Sequence, residues 1–430
     1  MRKASAIFLI ISSIATIVLI VGIVLQRPGL YKPFAIITSV AYAMALGGID
    51  SLKGFQYTAW IIAAVVAGMI YPEAFTKWGN VDLRDKTLIL VIVQLVMFGM
   101  GTHMSLKDFG GIASTGKGIL VGLFCHFSIM PMMGFLLTRI FHFEPEIAAG
   151  IILIGSCSSG LASNVMAYLA KANLALSVIV TAVITLAAPL LTPLLMKILA
   201  GTLIQIRFID MMVEIIKIVL VPVGAALLHD FLKRATASPK RKLNLVGIFS
   251  AVWILFIVLF LQKQITNHGL LQSVQLSGFF GGAVIAGLLY HYLYLRFPKI
   301  DDIMPLVSMF GIIYFTMVTT AAGRDNLMKV GVLLFIASVI HNAAGYFFGY
   351  WLSRIFGMDK NASRTIAFEV GLQNGGMASG IAGSMGKLGT VGLAPAVFSP
   401  WMNISGSLLA NYWRRRPIRK QVTRKILVKQ

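Results

Sequence analysis

The sequence predicts an all-α polytopic membrane protein, on three observations. First, 58% of the 430 residues are hydrophobic, 12% are charged and the mean hydropathy is +0.85, far from the values of soluble domains. Second, many apolar runs are long enough to cross a hydrocarbon core of about 30 Å as helices. A run such as Val330 to Leu352 is too long and too uniformly apolar for a barrel strand. Third, of 15 carboxylates only Glu369 lies deep in an apolar stretch, in Glu369-Val370-Gly371-Leu372-Gln373-Asn374-Gly375-Gly376. A carboxylate at membrane depth is costly and marks a functional position by default.

Fourteen candidate spans follow along the chain. Ala6 to Leu25 follows Arg2 and Lys3 as a signal peptide would, but it runs into Gln26-Arg27-Pro28 without a small-residue cleavage site, so a retained helix is expected. Pro33 to Gly48 and Tyr57 to Tyr71 are the short spans. Thr87 to Met104, Gly118 to Phe141, Ile147 to Ala170 and Asn173 to Ala200 come next. Met211 to Leu232, Leu245 to Leu261, Leu276 to Leu295, Met304 to Ala322, Val330 to Ile355, Thr365 to Met385 and Val391 to Trp413 complete the set. Cys125 and Cys157 fall inside spans and read as small packed apolar residues, without metal-ligand spacing.

The net charge of +22 is placed as a topology signal rather than a nucleic-acid surface. Eight of the 37 Lys and Arg residues lie from Arg414 to Gln430 and five from Lys233 to Lys242, both next to spans. With a cytoplasmic N-terminus, 24 basic residues fall in or beside cytoplasmic segments, 12 outside, and Lys217 stays within a span. Both termini are therefore expected in the cytoplasm, where the basic clusters can also meet anionic lipid headgroups. The cell membrane is the expected location, and no nucleic acid is expected as a partner.

Two spans look interrupted. One carries Gly155-Ser156-Cys157-Ser158-Ser159-Gly160-Leu161-Ala162-Ser163-Asn164, and the other carries the Glu369 segment. Each is the penultimate helix of a five-span block, if Leu245 to Leu261 and Leu276 to Leu295 are set aside as an inserted pair. That is the pattern of inverted-repeat transporters, whose broken helices meet near the midplane and bind ions there. The division is an extra N-terminal transmembrane pair at 1–54, a first repeat at 55–206, a second at 207–413 with the inserted pair at about 243–296, and a basic cytoplasmic tail at 414–430.

Ser163-Asn164-Val165-Met166-Ala167-Tyr168-Leu169-Ala170-Lys171-Ala172-Asn173, with Ser177 and Thr181 beyond it, resembles a signature of the bile acid:sodium symporter family. Glu369 to Asn374, Asn403-Ile404-Ser405-Gly406-Ser407-Leu408-Leu409-Ala410, Met97-Phe98-Gly99-Met100-Gly101 and His341-Asn342 resemble further family segments in the same order. The resemblance implies a ten-helix inverted-repeat core, with two broken helices crossing and a panel domain beside them. It leaves about four extra transmembrane helices without a role.

The resemblance also implies two sodium sites. Side-chain oxygens of Ser163, Asn164, Ser177, Thr181 and Glu369 would surround one ion; Glu369, the carbonyls of Val370 and Leu372, and Gln373 would hold the other. Such oxygen sets suit a hard cation. The chain departs from the family where His126 stands in place of a glutamine in the second site, which opens weaker binding, pH sensitivity or proton coupling. Ser158 and Leu161 also depart from the usual proline and threonine, so substrate contacts do not transfer as a set. Gly160, Asn374 and Asn403 remain as candidate substrate-facing positions. The expected activity is sodium-coupled symport of an organic anion, bile-acid-like or a small carboxylate or sulfonate, by alternating access, with Na+ as coupling ion and no cofactor. The competing readings are proton-coupled transport, a membrane-embedded enzyme using Glu369 with His126 or His341, and a sodium-regulated receptor.

Overall fold

Each apolar run folds as a helix, the open-ended structure that satisfies its own backbone in hydrocarbon. The computed structural model describes residues 3–49, 52–107, 112–261 and 264–418. Its helices are α1 (Lys3–Val24), α2 (Pro28–Leu46), α3 (Gln56–Ile70), α4 (Lys86–Gly101), α5 (Ile112–Phe141), α6 (Pro145–Ser156), α7 (Leu161–Leu169) and α8 (Leu174–Ala200). They continue with α9 (Phe208–Arg234), α10 (Ala237–Leu261), α11 (His268–Arg296), α12 (Ile300–Ala322), α13 (Arg324–Ile355), α14 (Lys360–Gly371), α15 (Gly375–Ser384) and α16 (Leu393–Arg414). Among the described residues, nine helices are long and apolar enough to cross a membrane unaided. The pairs α6–α7 and α14–α15 are the two interrupted passes.

Hydropathy marks only the apolar part of a helix, so some boundaries differ from the sequence reading. The stretch expected as a basic loop from Lys233 to Lys242 is helical apart from a short break after Arg234, and α10 begins at Ala237 rather than Leu245. Its Lys240, Arg241 and Lys242 extend the helix beyond its apolar part. Likewise α11 begins at His268, ahead of Leu276. Of the basic tail, residues 419–430 lie outside the described residues.

Packing sorts the helices around the breaks. Helices α5 to α8 pack with α13, α14 and α16, whereas α3, α4, α9 and α12 pack on one another beside them. Helix α15 reaches across to α4 and α12. The pair α1–α2 joins through α3, and α10 joins through α11, which lies on α9. Burial follows this order. Every residue from Ile147 to Ser156 in α6 is buried, while α1 leaves Ile10 60% and Val24 74% exposed, as a lipid-facing helix should.

Two close approaches allow the crossing. A Cβ on Gly345 of α13 would sit 2.7 Å from the Met130 sulfur and 2.9 Å from the Gly371 Cα, so α13, α5 and the end of α14 meet only because no side chain intervenes. At the break in α14–α15, Leu372 is extended (φ −106°, ψ 99°). In the partner pass Cys157 and Gly160 are extended as well. The exposed peptide groups are then paired with one another: Ser159 and Gln373 form an antiparallel bridge, the Gly160 N–H donates to the Leu372 carbonyl (3.2 Å), and the Asn374 N–H donates to the Ser158 carbonyl (2.8 Å). Irregular backbone at membrane depth needs such partners.

Candidate ion and substrate site

The bridge between the two breaks places Glu369, in the last turn of α14, at the crossing. Its side chain is fully buried. Three hydroxyls donate to it: Ser177 to Oε1 at 2.5 Å, and Ser159 and Thr181 to Oε2 at 2.8 Å each. Ser177 and Thr181 are four residues apart on α8 and so share a face. Ser159 comes from the break itself. Around this carboxylate, Thr181 Oγ1 lies 3.3 Å from Ser163 Oγ and 3.2 Å from Asn164 Oδ1. A single hydroxyl proton serves one acceptor at a time, so the Thr181 contacts to Glu369 and Asn164 are alternatives.

The cluster therefore gathers Ser163, Asn164, Ser177, Thr181 and Glu369 from three elements, and every converging side-chain atom is an oxygen. Among the described residues no salt bridge reaches Glu369. The positions of the half-helices add to this field. Helices α6 and α14 end at the crossing with their carbonyl, partially negative ends, while α7 and α15 begin there with their N–H, partially positive ends. One end favours a cation and the other an anion, the arrangement that broken transporter helices use. Ser159 is the residue that sequence reasoning missed. The polar run from Gly155 to Asn164 signalled it, but the pairing with Glu369 exists only once the breaks meet.

The residues expected around a second ion are arranged differently. His126, fully buried on α5, places Nδ1 2.9 Å from the Glu369 carbonyl and Nε2 2.7 Å from the Cys157 carbonyl. Gln373 Nε2 donates to the Val370 carbonyl at 2.6 Å, and the Leu372 carbonyl accepts from Gly160. The backbone oxygens that would ligate an ion are thus each met by a donor of the protein. One acceptor remains: Gln373 Oε1 is buried without a partner, and such an atom suits a cation.

Of the candidate substrate positions, Asn374 is 3% exposed and caps α15 by accepting from the Met377 N–H at 2.9 Å. Among the described residues its Nδ2 meets the thioethers of Met97 and Met100 on α4, at 3.8 and 3.7 Å, which are weak acceptors. Gly160 lies in the bridge. Asn403 donates to the Ser399 carbonyl within α16 and makes no hydrogen bond with the Glu369 cluster in the described residues.

Residues 89–268 match the Sodium Bile acid symporter family. The sodium-dependent transporter YocS of Bacillus subtilis, itself uncharacterized, is 30% identical over 374 residues, which cover 87% of this chain and 95% of that protein. The chain belongs to the sodium bile acid symporter family. Other symporter relatives include the human ileal sodium/bile acid cotransporter, 28% identical over 73% of this chain and 74% of its own. The probable sodium/metabolite cotransporter BASS1 of Arabidopsis thaliana chloroplasts is 26% identical over 84% of this chain and 73% of its own. Among solved structures, the sodium proton antiporter MjNhaP1 of Methanocaldococcus jannaschii aligns with a TM-score of 0.52 at 11% identity, over 91% of this chain and 99% of that one. At that identity the likeness speaks for the fold alone.

Proposed function

We propose that this family member is a sodium-coupled symporter that carries an organic anion into the cell by alternating access. The observation that carries the reading is the Glu369 carboxylate, ringed by oxygens where two broken helices cross. Sodium at Ser163, Asn164, Ser177, Thr181 and Glu369 would neutralise the buried carboxylate and tie α7, α8 and α14 together. The ordered crossing would then hold the anion at the N-terminal end of α15, where the Asn374 amide lacks a strong acceptor. Movement of the helices around α5–α8 and α13–α16 against α3, α4, α9 and α12 would expose the pair to the other side. Both termini are cytoplasmic in this reading.

The donors on the Val370 and Leu372 carbonyls favour one sodium ion per cycle over two. With a monovalent anion, one ion makes transport electroneutral and two move one net positive charge. Counterflow of labelled taurocholate and of labelled small carboxylates and sulfonates into sodium-loaded proteoliposomes tests the function. Exchange that requires sodium and is lost in Glu369→Ala is expected. A chemically altered product in place of exchange would point to an enzyme, and binding without exchange to a receptor.

A further inference from the structure

A groove between α13 and α16 supplies none of the hydroxyls that surround Glu369. It encloses about 470 Å³ and is walled by Phe347, Tyr350 and Trp351 of α13 and by Trp401, Leu409 and Trp413 of α16. Phe347 and Trp351 are 58% and 54% exposed, so the groove opens outward, onto the face that meets lipid. Its polar floor is closed on itself: the Ser405 hydroxyl donates to Asn342 Oδ1 at 2.5 Å and lies 3.2 Å from Tyr346 Oη. An occupant therefore meets mainly aromatic and aliphatic surface.

One end of the groove is cationic. Trp413 stands in the last turn of α16, and the Arg364 guanidinium of α14 lies over its ring, 5.5 Å from the centroid. Two of the five guanidinium N–H groups donate to the Trp413 carbonyl at 3.4 Å and the Arg416 carbonyl at 2.9 Å. Among the described residues no carboxylate pairs with Arg364, Arg414, Arg415 or Arg416. Arg414, Arg415 and Arg416 are exposed, and the sequence from 414 to 430 contains no Asp or Glu. Asp359, at the start of α14, is engaged as its cap by the Asn361 and Ala362 N–H groups. A guanidinium held in place by two carbonyls and an aromatic face, with donors left over, suits a phosphate.

We propose that this groove binds one anionic phospholipid, its phosphate on Arg364 and the Arg414–Arg416 run and an acyl chain along the aromatic wall of α13 and α16. The charge selects among occupants. A neutral lipid would leave the arginines without a counter-charge, and a second copy of the same basic end would be repelled. A free inorganic anion would meet the arginines and leave the groove unfilled. In the proposed topology this end faces the cytoplasm, the side whose leaflet carries anionic lipid. The lipid is neither the coupling ion nor the transported solute, so the site is independent of the symport reading.

Thermal unfolding of the full-length protein in dodecyl maltoside, in choline chloride without sodium, tests the site by titration with dioleoylphosphatidylglycerol or dioleoylphosphatidylcholine. Phosphatidylglycerol should raise the melting temperature with a midpoint roughly tenfold lower than that of phosphatidylcholine, about the worth of one charge-assisted hydrogen bond. Arg364→Gln should remove that preference, and Arg364→Lys, which keeps the charge without the fork, should retain part of it. Ala343→Trp fills the groove from an exposed position on α13 and leaves Arg364 in place; it should abolish the phosphatidylglycerol effect. Each variant is read as the shift on adding lipid, so a lowered starting temperature does not count. Glycerol phosphate, the head group without chains, should not stabilise. Equal midpoints for the two lipids, a preference that survives Arg364→Gln, or an unchanged titration in Ala343→Trp overturns the proposal. Stabilisation by glycerol phosphate would overturn it in favour of a simple anion contact. A melting temperature that rises with protein concentration and ignores lipid would overturn it in favour of a second copy of the chain.

Discussion

The carboxylate of Glu369 was legible in the sequence because a charge in hydrocarbon has few bland explanations. Ser177 and Thr181 were legible through the family resemblance, and their shared face follows from the four-residue spacing on α8. Ser159 was not, because it sits on extended backbone where no periodicity assigns it a direction. Ser159→Ala should weaken sodium-dependent stabilisation by roughly tenfold in affinity, about the value of one hydrogen bond to a charged group. An unchanged sodium titration would remove Ser159 from the site. His126 was read as the residue that alters the second ion position, and the structure adds the contacts to both broken passes, at the Glu369 and Cys157 carbonyls. Glutamine there supplies an amide oxygen as well as a donor. His126→Gln should therefore strengthen the sodium dependence of uptake. An unchanged sodium dependence would reduce His126 to a packing residue.

At the scale of elements, each of the fourteen apolar runs coincides with one helix or one interrupted pair, since length and hydropathy are what select a membrane helix. Helix ends were less legible, as α10 shows: charged residues can continue a helix past the bilayer, and hydropathy does not register them. The two breaks were visible as polar, glycine-rich runs. Their mutual pairing was not, because the Ser159–Gln373 bridge joins residues more than two hundred positions apart. Gly345→Ala tests how tightly that crossing is held. Its added methyl has no room between Met130 and Gly371, and overpacking of this kind costs about 1–3 kcal/mol. The expected result is a lowered melting temperature together with weaker sodium stabilisation, because Gly371 directly follows the Glu369 turn. Wild-type values for both would show that the helices separate freely there.

For the molecule as a whole, the basic clusters are the expected topology signal. In the proposed topology the Arg234–Ala237 turn faces the cytoplasm, the side that the charge bias favours. Single cysteines at Ser238, near the start of α10, and at Thr423, beyond the described residues, should resist impermeant thiol reagents in intact cells and react after permeabilisation. Labelling from opposite faces would break the even count of passes and require the inserted pair to be redrawn. That pair is fastened to the rest of the molecule by more than apolar contact: Tyr290 of α11 donates to Asp301 of α12 at 2.8 Å, and Asp301 is itself held by Lys233 of α9 at 2.8 Å. Its placement beside α9, rather than around the crossing, leaves the Glu369 cluster to the remaining helices.

The proposed sodium site at the crossing stands or falls with Glu369. Thermal unfolding of the purified protein, titrated with sodium chloride against choline chloride at constant ionic strength, tests it most directly. A site filled at a hundred times its dissociation constant should stabilise the wild type by about 2.7 kcal/mol. Glu369→Ala should lose that stabilisation, and Glu369→Gln, which keeps an oxygen without the charge, should retain only a small part of it. Wild-type sodium stabilisation in Glu369→Ala would contradict the account.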